Sequence, residues 1–156
     1  MKKTLGDFMI IAFCGHSTYS ETEEHEKKIL NFLEKRVGNT PCDFFLGEYG
    51  SFDAFCYRIA KKFKALHHNS KLMFITPYIN DSFLKKHLSE KEKRFDEIIY
   101  PNLENIPPRY AISKRNRWIV EKADIIVAYV HHKFGGAYSM YRYAEQKKKE
   151  IYDITK

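Results

Sequence analysis

The sequence predicts an α/β protein with a Rossmann-like, open, mostly parallel sheet and helices on both faces. Three observations carry that expectation. Runs of apolar and β-branched residues at 8–14, 72–76 and 125–130 read as strands buried on both faces, as in parallel sheets. Segments with apolar residues at helical spacing stand between them. Glycines follow the strands at Gly15, Gly47 and Gly135-Gly136, where such folds gather their ligand loops.

Taken in order, residues 8–14 form the first strand. Met1-Lys2-Lys3 before it raises the question of a secretory leader, but Gly6 and Asp7 interrupt the segment and no small-residue cleavage site follows. Residues 20–37 read as an amphipathic helix with Ile29, Leu30, Phe32 and Leu33 on its inner side. Residues 43–46 form a short strand. A second helix at 52–66 carries Phe55, Ile59, Phe63 and Leu66 at helical spacing. The third strand, 72–76, stops at Pro77. The stretch 78–108 is the least regular: a charged helix over 82–93, a short strand at 98–100, then a loop with Pro101, Pro107 and Pro108. Ser113 is expected to cap a helix carrying Arg115, which leads through Ala123-Asp124 into the strand 125–130. A glycine loop, a further helix and a last strand at 151–154 complete the chain.

Composition bounds the function. At 156 residues the chain reads as one domain, 1–156, long enough to bury roughly two-thirds of its unfolded surface. A hydrophobic content of 44%, with 12 Phe and 11 Tyr, argues against disorder. Cys14, Cys42 and Cys56 are odd in number, widely spaced and set in or beside apolar runs, as suits reduced thiols in a cytoplasmic protein. No run approaches the roughly 18 apolar residues of a membrane span. The formal charge of +7 sits largely in Lys61-Lys62, Lys85-Lys86 and Lys147-Lys148-Lys149, which reads first as solvated helix faces; its field still favours small anions.

In right-handed βαβ units the strand-to-helix loops collect at the sheet's carboxyl edge. Four segments qualify. Gly15, His16 and Ser17 follow the first strand. The segment Gly47-Glu48-Tyr49-Gly50-Ser51-Phe52-Asp53 combines two glycines, a capping serine and an acid in the first helical turn. The approach 109–117 offers Arg109, Arg115 and Arg117. The last two stand about 200° apart on a helix, so at most one points squarely into a site, and Arg115 is the choice. Gly135, Gly136 and Ala137 open a helix whose N–H groups suit an anion, and Tyr138 just beyond them is positioned to stack on a base. His67-His68 and His131-His132 resemble metal pairs, but adjacent residues diverge and no carboxylate or Cys lies at ligand spacing. Neither metal nor cofactor is expected.

At these residues the chain resembles a small bacterial branch of the SLOG superfamily, named for the Smf/DprA and Lonely Guy proteins. The likeness rests on Phe13-Cys14-Gly15-His16, the segment 47–53, Ser113-Lys114-Arg115-Asn116-Arg117, Ala123-Asp124 and Gly135-Gly136-Ala137. It implies a Rossmann-like fold that binds nucleotides or nucleotide-derived ligands, in some members as sensors in phage defence and in others as phosphoribohydrolases. The hydrolase signature joins an Arg-Lys helix and an Ala-Asp strand opening to a Pro-Gly-Gly-x-Gly-Thr loop and a catalytic Glu. Here Arg115 and Gly135-Gly136 fit, while Phe134 replaces the Pro, Tyr138 and Ser139 replace Gly and Thr, and Tyr141-Arg142 stands where the Glu belongs. Any glycosidic chemistry then needs another carboxylate, for which Glu48 and Asp53 are the candidates.

The first expectation is a binding module for a nucleotide-like small molecule, serving sensing or sequestration. An N-glycosidase or nucleoside deoxyribosyltransferase-like enzyme is the alternative. A nucleic-acid-binding protein, favoured by charge and by the DprA kinship, ranks third. The aromatic content and the resemblance are compatible with a homodimer.

Overall fold

The computed structural model describes residues 8–48 and 50–156. The leader question at 1–7 and Tyr49 of the second loop lie outside them.

β1 (Met9–Gly15) is followed by α1 (Glu23–Arg36), which starts where the Thr22 hydroxyl accepts the His25 N–H at 3.1 Å. Glu23, Glu24 and Glu26 sit in its first turn and Lys35 and Arg36 in its last, both favourable to the helix dipole. It ends at Gly38, whose φ of 54° is the left-handed conformation a helix terminus uses. β2 (Cys42–Leu46), α2 (Ser51–Leu66) and β3 (Ser70–Ile75) repeat the unit. The expected charged helix over 82–93 is two helices, α3 (Asp81–Lys86) and α4 (Leu88–Arg94), that meet at His87. β4 (Glu97–Ile99) follows.

A 3₁₀ turn at Pro108–Tyr110 runs directly into α5 (Ala111–Lys122). One expectation changes here. Ser113 lies inside the helix rather than capping it, and Arg115 falls in its second turn, because the proline-started turn supplies the entry that a cap would otherwise provide. β5 (Ile125–Tyr129), α6 (Gly135–Gln146) and β6 (Glu150–Asp153) complete the chain. The glycine pair is the first turn of α6, not a loop preceding it.

The strands are ordered β4-β3-β2-β1-β5-β6, and every pairing among the described residues is parallel. Ile11 aligns with Phe44 on one side and Ile125 on the other. The strand period of two divides the core. Met9, Ile11 and Phe13 face α1 and α2, packing with Ile29, Leu33, Phe44, Phe52 and Phe63. Ala12 and Cys14 face α5 and α6, with Ile119, Val120, Met140 and Ala144. Each fully buried Phe or Ile contributes about 1.5–3 kcal/mol in apolar transfer, so both layers matter to stability. Asp124 accepts the Ile10 N–H at 2.8 Å through Oδ2, locking the entry of β5 to β1.

The chain therefore builds β2, β3 and β4 outward from one edge of β1, then crosses on the opposite face through α5 to pair β5 with the other edge of β1. The carboxyl ends of β1 and β5 form the point where strand order reverses, the place open α/β sheets use for ligands.

Candidate functional site

A cleft of about 390 Å³ opens over that point. Gly15, His16 and Ser17 reach it from β1, Gly47 from β2, Asp53 from α2, Arg115 and Asn116 from α5, and Gly135, Gly136 and Ala137 from α6. Four separate segments of the sequence thus meet in one wall.

Arg115 is the buried cation of the site, only 3% exposed. Its Nη1 donates to the Ile75 carbonyl at 2.8 Å and to the Gly47 carbonyl at 3.4 Å, and its Nε donates to Asn116 Oδ1 at 3.0 Å. The guanidinium thereby satisfies backbone at the carboxyl ends of β3 and β2 while bordering the cleft. Gly47 makes room for it: a Cβ there would stand 2.8 Å from Nη1.

The second loop is clamped to the first. Ser51 donates its N–H and its hydroxyl to the Ser17 carbonyl, both at 2.9 Å, and its Oγ accepts the Tyr19 N–H at 2.6 Å. Gly50, at φ 113°, passes so close that a Cβ would lie 2.5 Å from the Ser17 Cα. Gly15 serves packing as well as lining the cleft: a Cβ on it would enter the ring of Phe52, with Cε2 at 2.8 Å. Gly135 and Gly136 differ from these three. A Cβ on either meets nothing within 4 Å, so the backbone of the first turn of α6 faces open space. Phe134, the N-cap residue, gives that turn no side-chain hydrogen bond.

Five expected residues do not line the cleft: Gly50 and Ser51 hold the clamp on Ser17, and Glu48, Arg109 and Tyr138 lie elsewhere. Glu48, with a left-handed φ of 51°, turns its carboxylate away to pair with Lys91 and Arg94 of α4. It does not border the cleft, which leaves Asp53 as the one carboxylate among the described residues that do. Arg109 is exposed on the 3₁₀ turn, with its guanidinium 4.9 Å from the Tyr110 ring centroid. Tyr138 is half-buried and also outside the lining. Phe13 and Phe45 also line the cleft but are buried, and the exposed phenyl ring among the described lining residues is Phe134, 68% exposed. Its one signal in the sequence is its place directly before the glycine pair.

Cys14 donates its thiol to the Ala137 carbonyl at 3.1 Å, joining the end of β1 to α6. Burial pushes that thiol far up, helped by Asp53, which favours the protonated form that donates this bond.

His16 is buried at the foot of the cleft, and its Nε2 accepts the His131 N–H at 3.0 Å. Burial first, then His132 and His131, hold its pKa below the ordinary 6.5, so the ring is neutral. His16 stacks on His132 with centroids 3.5 Å apart, and His132 stacks on Phe134 at 4.0 Å. The sequence offered only the adjacent pair His131-His132; folding adds His16, and one potential ligand atom from each of the three lies within 4.8 Å of the others. A metal lies in the plane of every imidazole that binds it, and two stacked, nearly parallel rings do not share such a point.

No family model matches the chain, and no curated protein matches its sequence. Solved structures do match its fold. DNA processing protein A (DprA) from Streptococcus pneumoniae aligns over 94% of this chain with a TM-score of 0.63 at 13% identity. The fold is DprA-like. The Helicobacter pylori DprA, solved for its single-stranded DNA binding mode, aligns over 92% of the chain with a TM-score of 0.58 at 14% identity. TM1055, a structural-genomics target, aligns over 92% with a TM-score of 0.55 at 11% identity. The chain spans 50% and 63% of the two DprA chains and 72% of TM1055. Among the described residues no helix is long and apolar enough to cross a membrane.

Proposed function

We propose that this chain is a single SLOG-type domain that binds a phosphorylated nucleotide or nucleotide-derived small molecule in the cleft between β1 and β5, for sensing or sequestration. One observation carries the reading: the buried Arg115 and the open glycine turn of α6 line the same cleft at the strand-order reversal. A helix N-terminus and a guanidinium both favour a phosphate, the first through N–H groups and dipole, the second through charged hydrogen bonds. Native mass spectrometry of the freshly purified protein, with calorimetric titration of AMP and adenosine, tests it. AMP binding at least tenfold tighter than adenosine supports the reading, and equal or absent binding overturns it.

A second reading, single-stranded DNA binding, is favoured by the charge of +7 and by the Helicobacter relative. Salt separates the two, since a protein touching several phosphates loses orders of magnitude in affinity over a few-fold rise in salt, whereas a single phosphate contact gives a slope near one. Asp53 keeps a glycosidic activity open as a third reading. It is a weaker one, because general acid-base work at a glycosidic bond ordinarily uses a pair of carboxyl groups.

A further inference from the structure

We infer that Phe134 is the stacking platform for the base of the bound nucleotide, with a purine the better fit. The inference rests on the nucleotide reading of the cleft and adds to it the group that recognises the base.

His16, His132 and Phe134 form a column of near-parallel rings, with interplanar angles of 16° and 20° and centroid spacings of 3.5 and 4.0 Å. The inner end is fixed, because His16 is buried and its Nε2 holds the His131 N–H. The outer end is Phe134, a large apolar ring left 68% exposed at the cleft although one face is covered by His132. Its backbone is set as the N-cap of α6, at φ −155° and ψ 164°. An aromatic face presented to solvent from a rigid mount is what a flat π-system recognises, and base–aromatic stacking is a major source of affinity for nucleotides.

Chain geometry selects a nucleotide over other flat molecules. Gly135 and Gly136 are the next two residues, so their Cα atoms lie within about 4–8 Å of the Cα that carries the ring. That is the order of the span from base to 5′-phosphate in one mononucleotide. A base on Phe134 therefore brings its own phosphate to the start of α6. The larger surface of a purine continues the column more completely than that of a pyrimidine.

The test compares AMP with ribose 5-phosphate, which lacks the base, by calorimetry on the wild type, Phe134→Ala and Phe134→Tyr, with circular dichroism confirming each fold. The expected result is tighter AMP than ribose 5-phosphate binding in the wild type, a loss of about 5- to 150-fold for AMP in Phe134→Ala, no change for ribose 5-phosphate, and near wild-type AMP affinity in Phe134→Tyr. In F134W, AMP but not ribose 5-phosphate should alter the indole emission. Equal AMP affinity in the wild type and Phe134→Ala overturns the platform while leaving the phosphate site standing. So does equal wild-type affinity for AMP and ribose 5-phosphate. Binding of neither compound by the wild type removes the nucleotide reading and the platform together.

Discussion

The Nη1 of Arg115 donates to the Ile75 carbonyl at 2.8 Å, so a helix on one face of the sheet holds the carboxyl end of a strand two places from the cleft's axis. Buried as it is, this cation cannot be only a ligand contact. Arg115→Ala removes charged hydrogen bonds and leaves the Ile75 carbonyl without that donor. The expected cost is about 1.5–3 kcal/mol, read as a fall of about 3–12 °C in Tm. AMP affinity should drop by about 10- to 150-fold and adenosine affinity should barely move. Lys114→Ala, exposed on the same helix, is the control. Equal weakening of AMP and adenosine would make Arg115 purely structural.

The glycines divide by what surrounds them. Gly15→Ala drives a methyl into the Phe52 ring and should cost about 1–3 kcal/mol by overpacking, seen in denaturant titration. Gly136→Val places its side chain in open space, so the fold should be retained while AMP binding is lost. A destabilised Gly136→Val, or one that binds AMP as the wild type does, contradicts this assignment.

His16 gives the protein a pH response with a definite sign. Its folded pKa lies below the ordinary 6.5, so the unfolded chain binds the proton more readily. The stability it contributes is present above pH 6.5 and is lost as pH falls through the folded value. The groups facing it are His131, His132 and Tyr129. The Tm of the wild type should decline between pH 7 and pH 5 more steeply than that of His16→Asn, and parallel slopes would show that His16 is not the titrating group.

Glu48 and Asp53 should behave oppositely. The Glu48 side chain is 11% exposed and joins Lys91 and Arg94, so Glu48→Gln should cost about 1–3 kcal/mol, less than a fully buried pair because Arg94 is a third exposed. It should leave AMP affinity within about twofold. Asp53→Asn should alter binding instead.

Turnover is the remaining check. With one carboxylate on the cleft among the described residues and the signature Glu position held by Tyr141-Arg142, release of free base from nucleoside monophosphates should be absent or very slow. Efficient release that Asp53→Asn abolishes would establish the enzyme reading.

Much of the fold is legible in the sequence because its signals are local. The apolar run before Gly15, the Ala-Asp entry to β5 and the helical spacing of Phe55, Ile59 and Phe63 each announce an element within a dozen residues. The break of the charged segment at His87 carries no glycine or proline and is invisible to such reading. At the site, Arg115 and the glycines are legible by residue type. Glu48 is not, because its partners lie 43 and more residues downstream on α4. The column on His16 is hidden for the same reason: its hydrogen bond to His131 joins residues 115 apart, and neither segment alone signals a stacked ring.

That long reach has a temporal side. β1, the strand at the centre of the sheet, pairs on one edge with β2 soon after it, but its other edge waits for β5, with Ile10 and Asp124 separated by 114 residues. A ribosome adding about 5–20 residues per second leaves that apolar edge without its partner for roughly 6–20 s. During that interval the first four strands of the six have been synthesised while the second neighbour of β1 has not. The cleft does not yet exist then, since its walls come from both sides of that edge, so a ligand meets only finished chains. Conditions that slow synthesis or weaken the pairing of β5 should therefore show first as aggregation of nascent protein and not as loss of activity in the folded pool.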